Sequence, residues 1–269
     1  MSVYEKDRRR NKVLFWNLQG RYAILYNILL KLIYEVITME PIYVTGHKSP
    51  DTDSICSSFG MARLKQLQGI DAVPVRAGEI NKETAFALDY FGVKPQQLMS
   101  DFYVKVEDAV HRNLKPLAEE ASLKDAALWF NEHDQHAFAP VVKGNKLVGV
   151  LERSALAEEF IKTVTGAELD TVRALVHEPQ MTFSVNDNGH DVPETGCYVV
   201  VDGADYVGVV SADSVAHAPK KQVFLVDHNE KKQIIDGIDE AQIVGVVDHH
   251  RIGGTLATDG PIFIHFRPV

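Results

Sequence analysis

The sequence of 269 residues contains only two cysteines, Cys56 and Cys197, and neither belongs to a CxxC pair. A disulfide framework is therefore not expected, and the low cysteine content favours the reducing cytoplasm as the location of the protein. Cys56 falls one turn into a predicted helix, where we expect a small buried side chain.

Basic residues are also outnumbered: the formal net charge is −9, so no binding to a nucleic-acid backbone is expected. Long apolar runs are missing as well. Residues 22–37 are interrupted by Asn27, Lys31 and Glu35, and the segment is too short and too polar for a membrane span. A content of 45% hydrophobic and 24% charged residues is typical of a globular protein without a membrane partner.

Residues 1–38 differ in charge from the rest of the chain. They contain seven basic and three acidic residues, whereas the whole chain is acidic. No small-residue cleavage site follows their apolar stretch, so they do not match a signal peptide. We expect residues 1–38 to be a non-native or disordered extension and the fold to begin at residue 39.

The stretch Gly46–Ser54 combines a histidine with two carboxylates at the point where a strand gives way to a helix. The apolar run Ile42–Val44 precedes it, and a helical pattern from residue 55 to about residue 68 follows. The start of a helix attracts anions such as phosphate, so these side chains indicate a divalent-metal site beside a phosphate site. Alternatively, the Asp that precedes the helix is only an N-cap. The candidate ligands are His47, Asp51 and Asp53.

Two later stretches repeat this arrangement. The apolar run Val223–Val226 ends at Asp227, and the run Ile243–Val247 ends at Asp248–His250. Both runs are typical of buried strands in a parallel sheet, whose carboxyl ends meet at one edge. The sequence therefore predicts a doubly wound α/β fold with a parallel sheet and a metal site at one rim.

Two further helices are predicted near these strands. One extends from Lys82 to Phe91 and is expected to turn Phe86, Leu88 and Tyr90 inward. The other is a short helix at Lys231–Ile238, between the second and third motifs.

The three motifs in this order resemble those of the manganese-dependent (family II) inorganic pyrophosphatases of the DHH phosphoesterase superfamily. The matching patterns are HxxxDxD at residues 47–53, VDHNE at residues 226–230 and DHH at residues 248–250. The similarity covers roughly residues 40–100 and 222–269. It implies hydrolysis of pyrophosphate to two orthophosphates by a pair of Mn2+ ions, with Co2+ or Mg2+ as alternatives.

The resemblance implies a ligand set for each metal ion. One ion would be held by His47, Asp51 and Asp227, and the second by Asp53, Asp227 and His249. Asp227 would then bridge the two ions, which together would acidify a shared water and neutralise the phosphoryl oxygens.

The resemblance also implies catalytic roles for two neighbours of His249. His250 would face the substrate phosphate as a hydrogen-bond donor or general acid. Asp248 would orient a histidine without binding the metal itself.

Residues 103–221 interrupt the family pattern with a strand–turn–strand–helix unit that occurs twice. Its hairpin turns are predicted at Gly144–Asn145 and Asp202–Gly203. The repeat resembles a pair of CBS modules, although the second copy is short of its first helix. We therefore expect an α+β insert, with residues 39–102 and 222–269 forming the catalytic domain.

In CBS modules a Ser or Thr after the second strand and a nearby Asp hold a nucleotide ribose. In the second copy Ser211 takes the first place, whereas Ser214 stands at the place of the Asp and Asp213 lies one residue off; the first copy has Glu152 and Ala155. The candidate contacts are Ser211 and Asp213. The resemblance implies AMP, ADP or ATP as a regulator and a homodimer as the assembly. The alternative is a degenerate module that only packs or dimerises.

The sequence stops at Val269, where family members continue into a C-terminal domain with another metal-binding Asp and phosphate-binding basic groups. We therefore expect this chain to bind metal but to hydrolyse pyrophosphate weakly. Two other readings stay open. One is a DHH phosphoesterase acting on polyphosphate or oligonucleotide ends, and the other is a nucleotide-responsive binding module without activity.

Overall fold

The structure, a computed structural model, describes residues 40–166, 171–251, 253 and 258–264. The described residues from Ile42 onward belong to one compact unit, which contains both sheets. The extension expected at residues 1–38 lies outside the described residues. Among the helices of the described part, none is both long and apolar enough to cross a membrane.

The first sheet consists of six strands, numbered along the chain: β1 (Ile42–Thr45), β2 (Ala72–Arg76), β3 (Gln97–Leu98), β10 (Gln222–Val226), β11 (Gln242–Asp248) and β12 (Ile262–Ile264). Their order across the sheet is β12-β11-β10-β1-β2-β3, and every neighbouring pair is parallel. The chain leaves the sheet after β3 and returns with β10 beside β1, so the strand order reverses between these two strands. This arrangement confirms the predicted doubly wound α/β fold.

Strand β10 is buried on both faces of the first sheet. Val223 and Leu225 pack into one apolar cluster, while Phe224 and Val226 pack with Val44 into another. A strand that is covered on both faces needs an apolar residue at every position, which accounts for the uninterrupted run in the sequence. The two clusters fix β10 between β1 and β11 and hold their carboxyl ends at one rim.

Helix α1 (Thr52–Leu67) follows β1 and begins three residues earlier than predicted. The cause is Asp51, whose carboxylate accepts a hydrogen bond from the Ser54 N–H at 3.0 Å and caps the helix. Ile55 and Ala62 are buried, whereas Cys56 is exposed. The expected burial of Cys56 was wrong, because its position falls on the outer side of α1.

Helix α2 (Lys82–Tyr90) follows β2, but its inner side differs from the prediction. Thr84 and Leu88 are buried, whereas Phe86 and Tyr90 are 71% and 73% exposed. The Thr84 hydroxyl forms a hydrogen bond of 3.0 Å with the Thr52 hydroxyl, which turns this side of α2 toward α1. Phe86 and Tyr90 consequently stack on each other at the surface, with ring centroids 6.2 Å apart.

The helix predicted at Lys231–Ile238 is instead a single 3-10 turn, Lys231–Gln233. All three isoleucines of the segment are nevertheless buried. Gly237 has a φ of 83° and lies so close to the backbone of Tyr103 that a Cβ atom there would collide with it. The apolar spacing therefore indicated burial correctly, but not helix.

The second sheet also has six strands: β4 (Leu117–Ala118), β5 (Phe138–Lys143), β6 (Lys146–Glu152), β7 (Thr182–Ser184), β8 (Tyr198–Asp202) and β9 (Asp205–Val210). Their order is β4-β5-β6-β9-β8-β7. The pairs β5–β6 and β8–β9 are antiparallel hairpins, as predicted, and β6 is antiparallel to β9. The outer strands β4 and β7 run parallel to their neighbours.

The two copies of the repeat around this sheet are unequal. Helix α4 (Leu123–Glu132) of the first copy has 10 residues, whereas a 3-10 turn at Gly189–Asp191 stands in its place in the second copy. This confirms that the second copy lacks its first helix. The helices of this region are α3 (Val106–Ala109), α4 (Leu123–Glu132), α5 (Arg153–Thr165), α6 (Val172–Leu175) and α7 (Ala212–Ala216).

The two copies also exchange short segments. His111, which precedes the first hairpin, forms an antiparallel bridge with β9 of the second copy, and His177 forms the equivalent bridge with β6 of the first copy. Gly208 and Gly149 permit this approach, because a Cβ atom at either position would collide with the carbonyl oxygen of His111 or His177.

Candidate metal centre

The first motif occupies the loop between β1 and α1. His47 lies two residues after the end of β1, and Pro50 prevents a regular helix through the loop. Asp51 is the N-cap of α1, and Asp53 lies in the first turn, where its carboxylate accepts a hydrogen bond of 2.8 Å from the Ser57 hydroxyl. The loop thus delivers one imidazole and two carboxylates to the carboxyl end of β1.

Asp227 follows β10 and is the buried centre of the site, with 5% of its surface exposed. Its φ of 61° lies in the left-handed region, which few residues other than glycine, asparagine and aspartate adopt. Its N–H donates to the Val247 carbonyl at 2.9 Å, and its carboxylate accepts a hydrogen bond of 2.7 Å from the Ser54 hydroxyl. These contacts fix the carboxylate beside the start of α1.

The imidazoles of His47 and His249 approach the Asp227 carboxylate from two other strand ends. Nε2 of His47 lies 3.5 Å from Oδ2 of Asp227 and 3.9 Å from Oδ2 of Asp51. Nε2 of His249 lies 3.1 Å from Oδ1 of Asp227 and 3.4 Å from Oδ2 of Asp53. The structure therefore brings together the five residues predicted as metal ligands.

Burial raises the pKa of Asp227, and the nearby carboxylates of Asp53 and Asp51 raise it further, against the Ser54 hydrogen bond. Within the described part of the chain, these three carboxylates form ion pairs with histidines and none with Lys or Arg. A donor set of carboxylate oxygens and imidazole nitrogens, short of positive charge, fits Mn2+, Co2+ or Mg2+. Two groups of donors lie within 4.8 Å of one another: His47, Asp51 and Asp227, and Asp227, Asp248, His249 and His250.

A cavity of about 410 Å³ opens beside these donors. Asp53, Asp227 and His249 line one part of it, and Met61 and Val247 contribute apolar surface. The carboxylates and the imidazole are therefore accessible to a small ligand.

Asp248 is 4% exposed and holds the DHH segment through one carboxylate oxygen. Oδ1 accepts hydrogen bonds from the backbone N–H groups of His249 (2.7 Å) and His250 (3.0 Å) and from Nδ1 of His250 (2.8 Å). A carboxylate only accepts, so Nδ1 of His250 carries the proton. The hydrogen bond that His250 donates to Asp248 raises the pKa of His250. Burial opposes ionisation of Asp248, but the hydrogen bonds that it accepts, mainly from His250, lower its pKa.

The structure adds three residues that the sequence interpretation did not single out: Ser54, His228 and Asn229. Ser54 binds Asp227, and Asn229 donates to Asp248. His228 is fully buried, its Nδ1 bonds the Val226 carbonyl at 2.8 Å, and burial lowers its pKa to about 4. Within the described residues its Nε2 has no hydrogen-bond partner. Their position in the sequence could have identified them, because all three lie within the motif segments.

Ser211 and Asp213, predicted to hold a nucleotide, follow β9 in the second sheet. Ser211 caps α7, where its hydroxyl accepts a hydrogen bond of 3.2 Å from the Ser214 N–H. Asp213 is exposed, and its Oδ1 lies 3.5 Å from Nδ1 of His217. Ser211 lines a cavity of about 480 Å³ together with His111, whereas Asp213 does not line it.

A parallel sheet with acids and histidines at three neighbouring strand ends defines an α/β protein with a candidate divalent-metal centre. The chain belongs to the DHH family, since the family model described as DHH family, N-terminal domain, matches residues 41–269.

Two curated relatives are named as inorganic pyrophosphatases. The "Cobalt-dependent inorganic pyrophosphatase" of Clostridium perfringens is 25% identical over 85% of this chain and 63% of its own length. The "Probable manganese-dependent inorganic pyrophosphatase" of Thermotoga maritima is 23% identical over 86% of this chain and 64% of its own length. The chain thus spans slightly less than two thirds of both relatives.

Among solved structures, the CBS-pair protein CBSX2 of Arabidopsis thaliana is similar to part of the chain. It is 20% identical, covers 43% of this chain and 93% of its own length, and has a TM-score of 0.36.

Proposed function

We propose that this chain carries the metal-binding part of an inorganic pyrophosphatase, which hydrolyses pyrophosphate to two orthophosphates. The observation that carries the proposal is the approach of imidazoles and carboxylates from three strand ends to the buried carboxylate of Asp227. The names of two relatives support the same activity. Pyrophosphate is small and highly charged, so its hydrolysis depends mainly on neutralising charge.

The proposed cofactor is a pair of divalent ions, Mn2+ or Co2+, with Mg2+ as a further candidate. His47, Asp51 and Asp227 would hold one ion, and Asp53, Asp227 and His249 would hold the other. Asp227 suits the bridging role because Oδ2 lies near His47 and Oδ1 lies near His249. When bound, such a pair would neutralise phosphoryl oxygens and lower the pKa of a water.

His250 is proposed as the proton donor to the departing phosphate. Asp248 holds its Nδ1, so Nε2 is the nitrogen left for the substrate. The raised pKa of His250 increases the protonated fraction at neutral pH, which suits a donor. Asp248 acts through His250 rather than on the substrate.

The test is phosphate release by the 269-residue chain with Mn2+ or Co2+, measured on pyrophosphate, tripolyphosphate and short oligonucleotides. We expect weak release that is selective for pyrophosphate, and loss of it in His249→Gln. His177→Gln, which removes an imidazole from the second sheet, is the matched control and should keep the activity. Release from the other substrates alone would replace the proposal with a different phosphoesterase.

Adenine nucleotides are proposed as regulators of a CBS-like insert at residues 103–221, between catalytic segments 39–102 and 222–269. The cavity lined by Ser211 and His111 supports a ligand there, while the exposed position of Asp213 leaves Ser211 as the stronger candidate contact. Titration calorimetry with AMP, ADP and ATP tests this, and no heat would favour a module that only packs. Light scattering tests the proposed homodimer.

A further inference from the structure

Asn229 ties the loop after β10 to the segment after β11. It is 5% exposed, and its Nδ2 donates to Oδ2 of Asp248 and, at 2.9 Å, to the carbonyl of Arg251. Its Oδ1 accepts a hydrogen bond of 2.9 Å from the N–H of Gly253. Because one end of the amide faces two acceptors and the other end faces an N–H donor, the first end must be the nitrogen and the second the oxygen.

Oδ1 of Asp248, the oxygen that Asn229 does not contact, is the one that holds the two histidines. Oδ1 accepts from both histidine backbone N–H groups and from Nδ1 of His250, while Oδ2 is held by Asn229. The carboxylate is buried, so its rotation is set by these partners. Releasing Oδ2 would free the group that aims His249 and His250.

Gly253 lies close to the residue that follows Asn229. A Cβ atom at this position would meet the Glu230 carboxylate, which would have to move to make room. The hydrogen bond from Gly253 to Oδ1 of Asn229 therefore joins two loops that are already in close contact.

We propose that Asn229 is a positioning residue of the metal centre. It fixes Asp248, the Arg251 carbonyl and the Gly253 N–H, which keeps Nε2 of His249 toward Asp227 and Asp53 and keeps the Nδ1–H of His250 on Asp248. The catalytic consequence rests on the proposed function, whereas the effects on metal affinity and on the His250 tautomer do not.

Gln96 provides a matched control because it is another buried amide next to a strand of the same sheet, directly before β3. It is 6% exposed, and its Nε2 donates to the Ile55 carbonyl and to the Ser58 hydroxyl, both at 2.9 Å. Gln96→Glu and Asn229→Asp make the same isosteric change from amide to carboxylate. A purely structural role predicts similar behaviour of the two variants.

The experiment measures Mn2+ binding to the 269-residue chain by electron paramagnetic resonance, without substrate. We expect Asn229→Asp to weaken Mn2+ binding by about 10–100-fold, the usual effect of losing a partner behind a ligand, and Gln96→Glu to stay within about twofold. If Asn229→Asp does not fold, Asn229→Ala is judged by the same measurement, since it places no second carboxylate against Asp248.

A metal-free measurement completes the test. Histidine side-chain nitrogen NMR, with the signal assigned from His250→Gln, should report a protonated Nδ1 in the wild type and lose that state in Asn229→Ala. Folded Asn229 variants with wild-type Mn2+ affinity and an unchanged His250 signal would overturn the proposal. Failure of the wild type to hydrolyse pyrophosphate would instead overturn the proposed function and leave these two results intact.

Discussion

The two six-stranded sheets direct the residues after their strands to different places. In the parallel sheet, β1, β10 and β11 end at the same rim, and His47, Asp227 and His249 meet there within hydrogen-bonding or ion-pair distance. In the mixed sheet, β6 and β9 are antiparallel, so Glu152, the last residue of β6, and Ser211, which follows β9, lie at strand ends that point to opposite edges. Parallel topology therefore gathers reactive side chains, whereas hairpin topology separates them.

The largest difference that we expect between mutations in the two sheets is in metal binding. Asp227→Asn removes the central charge but keeps a residue type that tolerates a left-handed backbone. We expect Mn2+ affinity, measured by titration calorimetry, to fall by more than about 100-fold, since losing even a partner behind a ligand costs about 10–100-fold. Asp213→Asn in the mixed sheet is the control and should bind Mn2+ like the wild type.

The next effect concerns acid stability without metal. The folded-state pKa of His228, about 4, lies below its usual value of 6.5, so the folded protein binds this proton less readily than the unfolded chain. The contribution of neutral His228 to the free energy of unfolding is complete above about pH 6.5. It falls by about 3 kcal/mol as the pH drops to 4. Urea unfolding in EDTA at pH 7 and 4 should show this extra loss in the wild type and not in His228→Gln.

His177→Gln is the control for that measurement in the mixed sheet. Its imidazole is about half exposed, so the variant should lose as much unfolding free energy on acidification as the wild type. A wild-type pH dependence in His228→Gln would contradict the prediction.

A smaller effect is expected from the exchanged segments of the mixed sheet. Gly208→Ala forces a methyl group against the carbonyl oxygen of His111 and should lower the unfolding free energy by about 2 kcal/mol. Gly60→Ala in α1 meets no neighbour within 4 Å and should instead stabilise the protein by up to about 1 kcal/mol. Urea denaturation of both variants tests the opposite signs.

The smallest effect concerns the cap of α7. Ser211→Ala removes the acceptor for the Ser214 N–H and should lower the unfolding free energy by about 1 kcal/mol, without changing Mn2+ affinity. Thermal unfolding with and without Mn2+ separates the two quantities. A loss of Mn2+ stabilisation in this variant would mean that the two sheets are not independent.

The convergence of the three motifs could be predicted from sequence because it follows from topology. Uninterrupted apolar runs indicate parallel strands, and parallel strands place the residues that follow them at one rim. The hairpins of the mixed sheet were predictable for a similar reason, since their turns carry local sequence signals.

Other features depend on contacts that a sequence pattern does not contain. Phe86 and Leu88 are both apolar, and the side of α2 that is covered is the one on which Thr84 forms a hydrogen bond with Thr52. The segment at residues 231–238 has helical spacing, yet the close packing of Gly237 against Tyr103 requires a turn. The hydrogen bond from Asn229 to Asp248 joins two separate motif segments, and no local sequence pattern indicates it.

The exchange of His111 and His177 between the two repeats makes each repeat an incomplete folding unit. Each hairpin has a stretch of backbone whose hydrogen-bonding groups are satisfied only by the other half. A single repeat produced alone would leave these groups unpaired, next to the glycine against which the other repeat packs. We therefore expect an excised half to pair with a second copy of itself or not to fold.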